Sequence, residues 1–290
     1  MLADLKELWR FRELLWAMVE RELRIRYKNS ALGFLWSLLN PLVTVAVMWS
    51  VFTFLLGNNT ENYSAYILAA YLPFLFFNMA LMDSAQSVLG SLNVVKKVYF
   101  PREILPLASV IGNFIHFVLA LGVFFMFLFG VWAFTGFQVA PFTWRLVALP
   151  LLLIPFFALV VGCSLLISAL NVFYEDVKYI LSVFLYLLFF VSPVMYFSET
   201  VRSALAGRAN GALIETLYHL NPVATFITAF RKVLVPPGRI EIIQDGVAVK
   251  VPPAPFDYTM VGVACFLSFV LMVFGYWVFN RMKWRFVERP

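Results

Sequence analysis

Six times along this chain an apolar run appears that is long enough, or nearly so, to cross a bilayer, and this pattern limits the fold more than any other feature. Crossing a hydrocarbon core of about 30 Å takes about 20 helical residues. The stretch from Leu107 to Phe134 holds no Asp, Glu, Lys or Arg in 28 residues. In lipid each backbone N–H and C=O must find its partner within the segment, so runs of this kind are helices. The pattern predicts spans at about Phe34–Leu56, Tyr63–Leu89, Leu107–Phe134, Leu146–Leu170, Tyr179–Phe197 and Tyr258–Phe279. Composition agrees: 62% of residues are hydrophobic and 13% charged, against roughly half and a quarter in soluble chains. The expected fold class is an all-α polytopic membrane protein with six transmembrane helices.

Charge supplies the orientation. Arg21, Arg24, Arg26 and Lys28 crowd together just before the first apolar run, and Asn29-Ser30 separates the two. Lys and Arg close to span ends are retained on the cytoplasmic side. With both termini inside, fifteen of the 22 Lys and Arg fall inside, among them Lys96, Lys97, Arg102 and Lys283. Six of the seven outside sit in the long region between the last two spans, which the rule weights less. The net charge of +6 therefore reads as topology, and no nucleic-acid partner is expected.

A single transmembrane domain, residues 1–290, follows from this layout. Residues 1–31 form a cytoplasmic amphipathic helix, because Leu8, Phe11, Leu15, Val19 and Leu23 recur at three- and four-residue steps, opposite Lys6, Glu13, Glu20 and Arg24. Such a helix lies in the membrane interface. Residues 34–197 hold spans one to five, 258–280 span six, and 281–290 a basic cytoplasmic tail. In the external region 198–257, Ala212–Leu220 and Val223–Val235 are apolar but too short to cross, and are expected to be re-entrant. Between Arg239 and Pro255, alternating Val and Ile suggest a hairpin around Asp245-Gly246. The charged first thirty residues do not read as a cleavable signal sequence.

Catalytic chemistry is mostly excluded. None of the fourteen glycines is followed by Lys, which removes the Walker A phosphate loop, and no His-Glu-x-x-His or Gly-x-Ser-x-Gly occurs. His116 and His219 lack a nearby acid in sequence, and Cys163 and Cys265 stand alone in apolar runs, so no metal site is expected. Asp83 is the one acid well inside a span. It either faces a polar pathway with Asn78, Ser84 and Gln86 or pairs with a basic loop such as Lys96-Lys97; an ionised carboxylate in mid-bilayer costs roughly 2.5–3.5 kcal/mol. Aromatic residues reach 18%, with 32 Phe. Trp36, Trp49, Phe52, Phe74, Phe77, Tyr186, Phe189, Phe190 and Tyr196 would suit a sugar-conducting channel, although most membrane aromatics face lipid or anchor at interfaces.

Three stretches resemble the permease subunit of bacterial polysaccharide ABC exporters, the type-two permeases of O-antigen, teichoic acid and capsular polysaccharide. They are Leu23-Arg24-Ile25-Arg26-Tyr27-Lys28-Asn29-Ser30 with Leu32-Gly33-Phe34-Leu35-Trp36 and Leu39-Asn40-Pro41; Val94-Val95-Lys96-Lys97-Val98-Tyr99-Phe100-Pro101-Arg102-Glu103; and Phe173-Tyr174-Glu175-Asp176-Val177. The resemblance implies a homodimer in the bacterial inner membrane, bound to two ATP-binding cassette subunits. ATP and Mg would be held by those partners, with no cofactor in this chain. It also implies a coupling helix at about Leu92–Arg102, where Lys96, Lys97 and Arg102 meet acidic ATPase residues and Val95 and Tyr99 plug a cleft. Glu175 and Asp176 would occupy the second cytoplasmic loop. The implied cargo is an undecaprenyl-linked polysaccharide, O-antigen foremost, passing through the dimer centre. A permease for a drug, haem or lipid, or an integral membrane glycosyltransferase, are the other readings.

Overall fold

The computed structural model describes residues 2–27, 35–55, 63–134, 144–205, 210–235, 240–244, 247–251 and 254–287. Its elements, in chain order, are helices α1 (Leu2–Arg10), α2 (Arg12–Tyr27), α3 (Leu35–Ser50, followed by a π-helical turn Val51–Leu55), α4 (Tyr63–Ser87), α5 (Leu92–Val95), α6 (Ile104–Phe134), α7 (Leu149–Phe173), α8 (Val177–Val191), α9 (Ser198–Leu205), α10 (Gly211–Leu220) and α11 (Pro222–Leu234). Strands β1 (Ile240–Gln244) and β2 (Val247–Val251) precede the last helix, α12 (Tyr258–Met282). The strands pair antiparallel, Ile240 opposite Val251 and Gln244 opposite Val247, as the alternation of Val and Ile predicts. Asp245-Gly246 lies outside the described residues. Among the described residues the regular structure is thus helical apart from this one hairpin.

Among the described residues four helices, at Tyr63–Ser87, Ile104–Gly130, Trp144–Phe173 and Tyr258–Phe286, are long and apolar enough to cross a membrane. Two more apolar helices, Leu39–Phe54 and Val177–Val191, are shorter. The expected fifth span, Tyr179–Phe197, stops early. Ser192 is extended (φ −83°, ψ 146°) because Pro193 follows it, and the residue before proline is driven out of the helical region. At 1.5 Å per residue the 15 residues of α8 reach about 22 Å.

Helix α4 is the hub. It packs against α3, α6, α7, α8 and α11, and a helix apolar on every side belongs in such a place. Ala69, Ala70, Ala80 and Ala85 are fully buried along it, letting neighbours come close. Around it a phenylalanine cluster joins four helices: Phe76 stacks on Phe117 at 5.2 Å, while Phe156 meets Phe226 and Phe230 at 5.3 Å each. Each such ring pair is worth about 0.5–1.5 kcal/mol beyond its buried area. Much of the phenylalanine content is therefore packing inside one subunit.

Helices α7 and α12 cross backbone to backbone. A Cβ on Gly162 would lie 2.6 Å from the Leu271 carbonyl group, and one on Gly275 would overlap the Gly162 oxygen. Small residues at helix crossings replace the hydrophobic effect, which lipid does not supply between helices. On α12 only Ala264, Ser268, Gly275 and Phe279 are buried, a single stripe at helical spacing. Phe266, Phe269, Val273 and Trp277 stay exposed.

The amphipathic segment is nearly continuous but breaks at Phe11, whose N–H is shared between the carbonyls of Glu7 and Leu8. Its apolar face turns inward as predicted: Val19 is fully buried, and Leu8, Phe11 and Leu15 pack on the core. Helix α2 lies along α6.

Candidate functional site

Three separate parts of the chain meet at one end of the bundle: the loop between α4 and α6, helix α1, and the end of α12. The loop enters through a 3₁₀ turn, Leu89–Ser91, and the single turn of α5. Lys96 and Lys97 follow in a hydrogen-bonded turn, and Tyr99 and Phe100 have no regular secondary structure. A helix over Leu92–Arg102 is therefore not formed. Pro101 forces the residue before it out of the helical region, and Val94, Val95 and Val98 are stiff β-branched residues.

Within this loop Lys96, Lys97, Val98 and Tyr99 are exposed, whereas Val95 and Phe100 are buried and pin it to the core. Val95 and Tyr99 accordingly do not share a face. The Tyr99 hydroxyl donates to Glu7 Oε1 at 2.9 Å, tying the loop to α1, and that carboxylate raises the Tyr99 pKa. The third expected contact residue, Arg102, is half-buried. It donates to the Lys283 carbonyl, and its guanidinium lies 6.0 Å from the Trp284 ring and 5.9 Å from Phe286.

Two residues that spacing did not single out hold the arrangement. Glu103 Oε1 and Lys283 Nζ are 2.7 Å apart, and both side chains are nearly sealed from solvent. Glu103 stands at the N-terminus of α6 and Lys283 at the C-terminus of α12. Each charge therefore complements the dipole of the helix it touches. Removing one member of a buried pair strands the other, at about 3–5 kcal/mol. Nearby, Phe286 packs against Phe173 of α7 and Phe279 of α12, at 5.8 and 5.5 Å. A groove of about 270 Å³ lined by Glu7, Lys96, Lys97, Tyr99, Arg102 and Trp284 completes this face. The clue in sequence was an acid just before one apolar run and a lysine just after another.

The remaining expected residues scatter. Asp83 lies one turn from the end of α4 and accepts from Asn113 Nδ2 at 2.8 Å. It lines an open cavity of about 350 Å³ with Arg21, Glu22, Gln86 and Ser109, so it faces α2 and α6. Glu175 and Asp176 are exposed in the tight connection before α8. That connection is held by Asn171, which donates to the Ala85 carbonyl at 2.8 Å and accepts from the Lys178 N–H at 3.1 Å.

The nine channel candidates do not form one surface. Phe74 and Phe77 are buried within the subunit because α4 is its central helix, and Phe74 meets Phe189 at 5.3 Å. Trp36, Trp49, Tyr186 and Phe190 are exposed, on α3 and α8. Phe52 and Tyr196 are half-buried; Phe52 meets Tyr63, and the Tyr196 hydroxyl donates to the Val191 carbonyl at 2.6 Å.

At the opposite end, α9, α10 and α11 enclose the start of α12. Asn221 caps α11, its side chain accepting from the Val223 N–H at 3.1 Å, and Pro222 opens the helix where its missing N–H costs nothing. Arg231, only 4% exposed, donates to the carbonyls of Pro193 (2.5 Å), Val194 (3.2 Å) and Tyr196 (3.0 Å). It thereby shapes the turn that ends α8. Beside it lies a cavity of about 370 Å³ that includes Glu199, Arg202, Glu215, His219 and Asp257.

The O-antigen export system permease protein RfbA of Klebsiella pneumoniae is 26% identical over 276 residues, 95% of this chain and 94% of that protein. A Myxococcus xanthus protein of the same name is 28% identical over 235 residues, 80% and 84% of the two chains. The polysialic acid transport protein KpsM of Escherichia coli is 23% identical over 184 residues, 62% and 68%. Residues 13–235, from α2 through α11, match the ABC-2 type transporter family, and the chain belongs to that family.

Proposed function

We propose that this chain is the membrane subunit of an ATP-binding cassette exporter carrying a lipid-linked polysaccharide, O-antigen foremost, across the bacterial inner membrane. The observation that carries this reading is similarity to O-antigen export permeases along nearly their whole length. In this reading α3, α4, α6, α7, α8 and α12 are six spans, α10 and α11 dip into the outer leaflet, and both termini are cytoplasmic. Support for the orientation comes from Tyr99–Glu7 and Glu103–Lys283, which gather N-terminal helix, basic loop and C-terminal segment at one end. Residues 1–290 act as one permease domain and pair as a homodimer.

Two ATPase subunits, holding ATP and Mg, dock on the exposed Lys96-Lys97 turn. Force on the turn reaches α6 directly and α12 through Glu103–Lys283. It also reaches α7, because Gly162 and Gly275 leave no slack between α7 and α12. The exposed rings Trp36, Trp49, Tyr186 and Phe190 line the path between subunits, where sugar C–H faces stack on them.

The test is ATP turnover by the purified permease with its ATPase in proteoliposomes. Lipid-linked glycan should stimulate turnover and appear on the far side of the membrane. Stimulation by a small amphiphile in place of the glycan would reassign the cargo. Glycan-modifying activity from the chain alone would make it an enzyme.

A further inference from the structure

A second, smaller cavity lies on the end of the bundle away from Lys96 and Lys97. Its volume is about 100 Å³, and its charged lining residues are Arg145, Arg231, Lys232 and Glu199. Three cations thus face one carboxylate. The carboxylate is committed elsewhere: Glu199 Oε1 accepts from the Ala254 N–H at 2.9 Å, and Oε2 accepts from Ser198 Oγ at 3.0 Å. Among the described residues no ion pair joins Glu199 to any of the three.

Among the described residues the Arg231 side chain donates only to backbone carbonyls, and its guanidinium lies 5.2 Å from the Phe197 ring; Glu199 offsets part of its charge without forming an ion pair. The Arg231 Nε finds no acceptor among the described residues. Lys232 Nζ likewise reaches only a carbonyl, that of Pro255 at 3.0 Å. Burial lowers the pKa of Lys232, with Arg231 and Arg202 adding to the shift and Glu199 and Asp257 opposing it. Buried charges are ordinarily paired, because an unpaired one is costly.

We propose that this chamber binds a single oxyanion, a phosphate or a carboxylate. A water needs about 10–15 Å³ of such space, so the chamber takes about seven to ten water-sized groups: enough for a phosphate, too little for a whole hexose. The larger cavity shares Glu199, Thr228, Lys232 and Phe256 with it and leaves room for whatever the anion is attached to. If the chain exports a lipid-linked glycan, the oxyanion is either a phosphate of the lipid carrier or the carboxylate of an acidic sugar. That last step rests on the proposed function; the anion site itself does not.

The experiment uses the full chain, with any subunits that purify with it, in phosphatidylcholine nanodiscs. Thermal unfolding is followed while sodium phosphate or sodium glucuronate is titrated, with sodium chloride at matched ionic strength as the blank. Saturable stabilisation by phosphate alone assigns the lipid carrier, and stabilisation by glucuronate assigns an acidic sugar. Arg145→Gln and Lys232→Gln, both at partly exposed positions, should each raise the half-saturating concentration about tenfold, the loss expected for one charge-assisted hydrogen bond. No saturable response to either anion, or one that both variants leave unchanged, overturns the site. Because the reading is binding and not transport, a failed export assay with retained anion binding removes the function and leaves the site standing.

Discussion

Two cations are buried at opposite ends of this molecule, and they are handled differently. Lys283, on the Lys96-Lys97 side, has a carboxylate 2.7 Å away and sits at a helix C-terminus that welcomes positive charge. Arg231, at the far end, is held by three carbonyl oxygens and, among the described residues, forms no ion pair with a carboxylate. The first arrangement is closed: charge meets charge, and two helix ends are joined. The second meets carbonyl oxygens alone, leaves Nε without an acceptor among the described residues, and is open for charge. One ties α6 to α12, the other leaves positive charge beside a cavity.

Mutation should separate them. The largest expected effect is at the ion pair: Glu103→Gln or Lys283→Met strands a partner and should cost about 3–5 kcal/mol in thermal or denaturant unfolding. Glu103→Leu combined with Lys283→Met should recover most of that loss, because an apolar pair carries no desolvation penalty. Failure of the double variant to recover would mean that the pair contributes more than neutralisation. Next comes Arg231→Met, which leaves three carbonyls without this donor, at up to about 1–3 kcal/mol each, but also removes a buried cation with no ion-pair partner among the described residues; that relief should make the net cost smaller than at the ion pair. A loss larger than that of Lys283→Met would reverse the comparison.

Lys96→Glu with Lys97→Glu should change stability by only about 0.5 kcal/mol, since both side chains are exposed. If the proposed ATPase partner docks there, the double change should nonetheless detach or uncouple it, read as loss of stimulated turnover. The smallest effect concerns pH. Burial lowers the His219 pKa, against the opposing pull of Glu215 and Asp257. The fold therefore prefers the neutral ring, and this contribution is fully present above about pH 6.5 and declines as pH falls below it. His219→Asn should flatten that slope in unfolding measured between pH 7.5 and 5.5.

Legibility followed the range of the interaction. The helices α4, α6, α7 and α12 stand close to their predicted spans because apolar run length is a local property. The amphipathic face from Leu8 to Val19 and the β1–β2 hairpin were equally local. What misled was orientation within apolar helices. Phe74 and Trp49 look alike in a run with no polar face, yet one is buried on the central helix and the other exposed on a peripheral one. The loop at Lys96 shows the same limit: its exposed charges were visible, but the single turn of α5 followed from Pro101 and from anchors elsewhere in the chain.

By itself, then, the order of residues determined that this is a membrane protein, where its long helices lie, and which loop presents lysines. Those properties depend on neighbours within one or two helical turns. Only the tertiary structure decided that Glu103 meets Lys283, 180 positions away, and that Arg231 closes the turn after Val191. A buried charge is tolerable only where the packed chain brings a partner to it, and no local spacing records where that partner will be.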